Sequence, residues 1–374
     1  MSERRDLVVE ALTRPVEHLA AWEGRHWSRF LQQARNAGLL ARAGRRLRHS
    51  LPEGRPAPWP AALDGHLASA ERVLQAQRAE VHRELRHIAR ALDGLGAPVV
   101  VLKGAAYLAA GLPPGDSRVF SDIDVLVPRD VIAEAESRLM LHGWVGTHDN
   151  AYDQRYYREW MHELPPMQHL QRGTTLDLHH NILPLTARLK PDSRHLVSAA
   201  VPLPDRPGLH VLSPADMVLH CVTHLFMNEE TSHALRDLSD LDLLLRHFGG
   251  DDGFWPLLLE RAALLDLRRP LYYGLRHAMR LLETPVPADV VSRVGALAPG
   301  PPLNGLMEAI WARALRCPHP SAAIGGTAAA RFALYVRGHW LRMPPLLLAR
   351  HLTVKALRLH ERTSSEAVTA PTQG

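Results

Sequence analysis

The stretch Ser-Asp-Ile-Asp-Val-Leu-Val, residues 121–127, constrains this chain more than any other. Its apolar, β-branched residues describe a strand that belongs in a core, yet two carboxylates one residue apart stand at its head. Side chains two apart on a strand point the same way, so Asp122 and Asp124 project together while Ile123, Val125 and Val127 face the opposite side. Carboxylates that close repel, and one is driven toward its neutral form unless a cation lies between them. A divalent ion with oxygen ligands, Mg2+ or Mn2+, is the economical solution. The plainer reading makes both aspartates polar strand-end residues, one of them capping the loop as Ser121 can.

The neighbouring residues describe a small α/β unit. From Val99 a β-branched run, Val-Val-Val-Leu, bounded by Pro98 and Gly104, reads as a buried strand. A short apolar helix follows over 105–110, and residues 112–118 read as loop. Asp130 is placed to cap a helix that Gly143 ends. After a long polar, aromatic segment, residues 174–182 (TTLDLHHNI) read as a third strand, with Asp177 sharing a face with Thr175 and His179. If that strand pairs beside 121–127, three aspartates can hold two ions about 4 Å apart, as in-line displacement at phosphorus requires. Asp122 and Asp124 would bridge both ions. Asp177 would bind the ion that activates the acceptor and would help to take its proton. The turn at Lys103-Gly104 aims backbone N–H groups at a phosphate tail, and Arg118 can neutralise charge on a triphosphate.

These motifs resemble the DNA polymerase β-like nucleotidyltransferase superfamily. More narrowly, L-K-G at 102–104, R-x-x-S-D-I-D-x-L-V at 118–127 and L-D-L-H-H at 176–180 resemble a bacterial family of uncharacterised nucleotidyltransferases. The helical segment LHCVTHLFMNEE…LRDLSDLDLLL extends the likeness, which covers about residues 95–250. The resemblance implies an α+β fold: a nucleotidyltransferase-type mixed-sheet domain flanked by N-terminal and C-terminal helical regions. It implies Asp122, Asp124 and Asp177 as metal-binding, catalytic carboxylates, with Lys103, Gly104, Arg118 and Ser121 on the nucleotide. The expected reaction moves an NMP from an NTP, ATP first among them, to an unidentified acceptor and releases pyrophosphate. One departure stands out. The wider superfamily carries Gly-Ser or Gly-Gly at the strand–helix turn, whereas this chain has Lys103-Gly104-Ala105 and no hydroxyl. Lys103, one of only three lysines, would take over the phosphate contact. The missing hydroxyl also favours an alternative, a non-catalytic nucleotide-binding or scaffold protein that keeps the fold.

Outside the α/β unit the apolar spacing is helical. The expected divisions are an N-terminal helical region over 1–94, the α/β domain over 95–205, a C-terminal helical domain over 206–362 and a disordered tail over 363–374. His220 and His224 stand four apart on a helix, but Cys221 occupies the place where a zinc-protease signature needs glutamate. His179, His224 and Asp237 are candidates for acceptor binding, and Asp240 for a cap or a domain interface. Two cysteines cannot build a disulfide framework or a zinc cage, which favours a reducing compartment. The N-terminal residues lack the apolar core of a secretory signal, and no run approaches the about eighteen apolar residues of a membrane span, so a cytoplasmic protein is expected. A net charge of +5 suits an anionic substrate but describes no basic groove for nucleic acid. The helices over 331–362 carry seven Lys/Arg against one Glu, which reads as a solvated face or a peripheral membrane contact.

Overall fold

Apolar residues at three- and four-residue spacing lead the chain into helix as far as Ala91. The computed structural model, which describes residues 4–148 and 151–349, resolves this region into five helices. They are α1 (Leu7–Thr13), α2 (Val16–Leu19), α3 (Gly24–Asn36), α4 (Leu40–His49) and the long α5 (Ala61–Ala91). Gly38 separates α3 from α4 by taking a φ of +66°, a conformation side chains resist. Trp27 meets Phe30 and Trp59 edge to face in the core of this region, with Trp22 tilted against it. Leu235, Cys317 and Ala322 complete that core from far along the chain.

The β-branched run then forms β1 (Val99–Val101), followed by α6 (Lys103–Ala109) and α7 (Pro113–Ser117). Residues 112–118, expected as loop, are thus partly helical. Proline at the first helical position is preorganised for it and loses no hydrogen bond there. Next come β2 (Ile123–Leu126), α8 (Ile132–Leu141), β3 (Trp144–Gly146), α9 (Ala151–Trp160), β4 (Met167–His169) and β5 (Thr175–His179). A 3-10 turn over Arg129–Val131 leads into α8, so Asp130 lies inside that turn and does not cap the helix. The unit closes with α10 (Ser193–Ser198), β6 (Val201–Pro202) and β7 (Leu209–Val211).

These strands make one mixed seven-stranded sheet in the order β3-β4-β5-β2-β1-β7-β6. The parallel pairs are β2–β5 and β1–β7. The C-terminal helices are α11 (Pro214–Met227), α12 (Ala234–Phe248), α13 (Phe254–Leu264), α14 (Arg268–Leu282), α15 (Ala288–Gly295), α16 (Pro301–Ala314) and α17 (Thr327–Arg342). Buried apolar side chains form one cluster from Val81 on α5, through the sheet, to Leu334 on α17. The fold class is therefore α+β, a mixed sheet with helical regions on both sides in sequence. No helix among the described residues is long and apolar enough to cross a membrane. The end of the basic C-terminal segment and the tail over 363–374 lie outside the described residues.

Candidate active site

Parallel pairing of β2 with β5 brings the predicted carboxylates together. Asp124 lies opposite Asp177 in the register, and Leu126 opposite His179. Side-chain alternation then puts Asp122, Asp124, Asp177 and His179 on one sheet face, while Ile123, Val125, Leu176 and Leu178 enter the core. Asp124 is the most enclosed of the acidic group, at 2% exposure.

Two side chains engage Asp124. Lys103 follows β1 with a φ of +50°, an uncommon conformation for a residue with a side chain. From this tight turn its Nζ lies 2.6 Å from Asp124 Oδ1. His179 Nε2 lies 3.0 Å from the same oxygen. Burial alone would raise the Asp124 carboxyl, but the lysine charge and the histidine hydrogen bond outweigh it and hold the group well below the usual carboxylate range.

Asp177 is the opposite case. Its Oδ1 is buried and has no hydrogen-bond partner among the described residues. Burial, reinforced by the charge of Asp124, pushes its carboxyl up to about 7. Ligand atoms of Asp124, Asp177 and His179 lie within 4.8 Å of one another. A cation among them would give the orphaned oxygen a partner and let Asp177 ionise at neutral pH, so this donor set fits a divalent ion. Asp122 stays outside that trio. It is half-buried and accepts a hydrogen bond from the exposed Ser121 at 2.7 Å. Its charge nevertheless adds to the field at Asp177 and Lys103.

A second charged cluster adjoins the Lys103 turn. A Cβ on Gly104 would fall 2.7 Å from Arg118 Nε, so the glycine is what lets the arginine lie across the start of α6. Arg118 pairs with Asp240 and, at 3.4 Å, with Asp237. Arg42 reaches Asp240 at 2.6 Å and spends its other N–H groups on Ser117, Ser239 and the Pro114 carbonyl. Arg236 and His224 approach Asp237 at 3.1 and 3.5 Å. Three guanidinium groups thus face two carboxylates, an excess of one positive charge in a largely buried place. Burial would raise Asp237, but His224, Arg236 and Arg118 hold it well below its ordinary value.

The structure divides the acceptor candidates between two places: His179 belongs with the strand carboxylates, and His224 and Asp237 belong with the arginines. His220 is buried, and neither it nor His224 enters a group of metal-donor side chains among the described residues. Three participants escaped sequence reasoning. Arg42 sits among several arginines on α4, and its burial depends on contacts from α7 and α12. His162 and Glu163 lie in the polar segment before β4, and an isolated antiparallel bridge between Glu163 and His179 brings them to the site.

The family described as uncharacterised nucleotidyltransferase matches this chain over residues 23–283, from α3 to the end of α14, and the chain belongs to that family. The match extends well beyond the motif-bearing residues in both directions. A search of curated proteins finds no match.

Proposed function

We propose that this member of the uncharacterised nucleotidyltransferase family uses divalent metal to transfer an NMP from an NTP, with ATP the first candidate, to an unidentified acceptor. The observation that carries the proposal is the side-by-side placement of Asp124 and Asp177 on paired strands, with a buried Asp177 oxygen that lacks a partner. Asp124 and Asp177 would hold Mg2+ or Mn2+, and Asp122, on the same strand face, would complete the set for a pair of ions. Bound there, the metal supplies electrostatic stabilisation of charge on the triphosphate.

The protein's own part is positioning and proton handling. Lys103 and the excess positive charge around Arg118 would hold the phosphate tail beside the carboxylates. An acceptor oxygen forms a bond to the α-phosphorus as the bond between that phosphorus and the bridging oxygen breaks, and pyrophosphate leaves. The proton given up by an acceptor hydroxyl would go to Asp177, which the bound ion keeps ionised and able to accept it. His179 keeps Asp124 oriented throughout through its 3.0 Å contact.

The Lys103–Asp124 ion pair supports the alternative reading, a nucleotide-binding or scaffold protein without turnover. An ammonium 2.6 Å from Asp124 neutralises that carboxylate with no metal at all. Pyrophosphate release separates the two readings. Purified protein is supplied with each NTP, Mg2+ or Mn2+ and a panel of hydroxyl and phosphate acceptors. The enzymatic reading expects metal-dependent release that falls at least about hundredfold in Asp124→Asn and Asp177→Asn. Undiminished release in both variants would refute the assigned residues, and no release with any combination would favour the scaffold.

A further inference from the structure

His179 has two ring nitrogens, and the carboxylate site uses only one. Nε2 is engaged with Asp124. Nδ1 points the other way, into a group that the nucleotidyl-transfer chemistry leaves idle. There, Glu163 Oε2 lies 3.3 Å from His179 Nδ1 and 3.8 Å from His162 Nε2. One donor atom from each of the three residues lies within 4.8 Å of the others.

The backbone builds this arrangement. Residues 162–164 run antiparallel to the end of β5, with Glu163 bridged to His179. Leu164 N donates to Leu178 O at 2.8 Å, and His180 N donates to His162 O at 2.8 Å. Pairing across β5 therefore aims Glu163 and His179 to one side, and His162 brings its ring to 5.3 Å from that of His179, centre to centre.

Two buried nitrogens in this group have no hydrogen-bond partner among the described residues. His179 Nδ1 is one, on a side chain only 3% exposed, and His162 Nδ1 is the other. Buried polar atoms left unpaired are uncommon and need a reason. A bound cation supplies one for His179 Nδ1, the nitrogen that faces Glu163; His162 turns Nε2, not Nδ1, toward the same carboxylate. Histidines that ligate a metal almost always donate the other ring N–H to a carboxylate, and His179 has that partner in Asp124.

We propose that His162, Glu163 and His179 form a second cation site, distinct from the Asp124–Asp177 pair and joined to it through the His179 ring. Two imidazoles and one carboxylate suit borderline ions such as Zn2+ and Co2+, whereas Mg2+ prefers oxygen donors throughout. An ion there locks His179 and, through it, Asp124. The inference does not depend on nucleotide transfer.

Cobalt titration tests it. Full-length protein, stripped of metal by chelator and dialysed, is titrated with Co2+ while visible d–d absorption is recorded. One Co2+ is expected to bind with visible bands, to be displaced by Zn2+ and to persist in excess Mg2+. His162→Ala and Glu163→Gln should each weaken that binding at least about tenfold, while Asp177→Asn should retain the bands. Absence of the bands, unchanged binding in Glu163→Gln, or loss in Asp177→Asn alone would overturn the proposal. Circular dichroism verifies the fold of each variant, and Glu163→Gln, which keeps the side-chain shape, decides the matter if His162→Ala unfolds. Absent cobalt bands in a protein that still releases pyrophosphate with Mg2+ would refute this site alone, so the two readings fail separately.

Discussion

Asp177 carries the sharpest consequence at the scale of single residues. Its carboxyl ionises near 3.8 in an unfolded chain but holds its proton to about 7 in the metal-free fold. Between those values the native state binds more protons than the unfolded state, so this residue lowers stability as pH rises through that window. Above 7 the penalty is complete. Asp177→Asn, compared with the wild type in chelator, should be more stable at pH 8 by up to about 4 kcal/mol, the worth of about three pKa units. The gap should close toward pH 4. Denaturant melts at both pH values check this, and a gap of equal size at both would contradict it. The shared face of Asp122, Asp124 and Asp177 was legible because a strand repeats every two residues. The Lys103–Asp124 pair was not, since it depends on a backbone turn at φ +50° that no local pattern announces. His162 was likewise hidden, because an isolated bridge across β5 brings it in.

Among the elements, α6 and α7 meet at a contact that tolerates no side chain. A Cβ on Gly115 would fall 2.4 Å from Leu108 N and 2.6 Å from Tyr107 C, both backbone atoms that cannot yield cheaply. Gly115→Ala should therefore cost about 1–3 kcal/mol in a denaturant melt. It should also disturb Arg42, because α7 carries the Ser117 hydroxyl and the Pro114 carbonyl that this guanidinium uses. A loss under about 0.5 kcal/mol would mean that α7 is not seated as described. Long periodic helices such as α5, α11 and α12 were plain in the sequence. The strands β3, β4, β6 and β7 were not: each is two or three residues long, too short for alternation to register. They exist because neighbours at the sheet edges offer backbone hydrogen bonds.

Across the whole molecule, several histidines are buried in neutral form. Burial lowers His180 and His277 to about 4, and it pulls His162 and His220 well below 6.5. The unfolded chain takes up these protons near 6.5 and the native state does not, so their stabilisation is full above 6.5 and fades as pH falls toward 4. The melting temperature should fall between pH 7.5 and 5. The fall should be smaller in His277→Phe, which replaces a ring stacked on Phe226 whose Nε2 has no partner. A pH-independent melting temperature would contradict this reading. The α+β class was legible from the change of period at Val99 and its return after Pro214. The joining of both helical regions with the sheet in shared cores was not, because it depends on distant contacts such as Arg42 with Asp240. The central claim is that Asp124 and Asp177 hold a divalent ion beside a triphosphate. Its most direct test is nucleotide affinity, measured by calorimetry with Mg2+ and again in chelator, for the wild type and Asp177→Asn. Affinity should tighten at least about tenfold with Mg2+ in the wild type and not in the variant. Equal affinity in all four measurements would contradict the account.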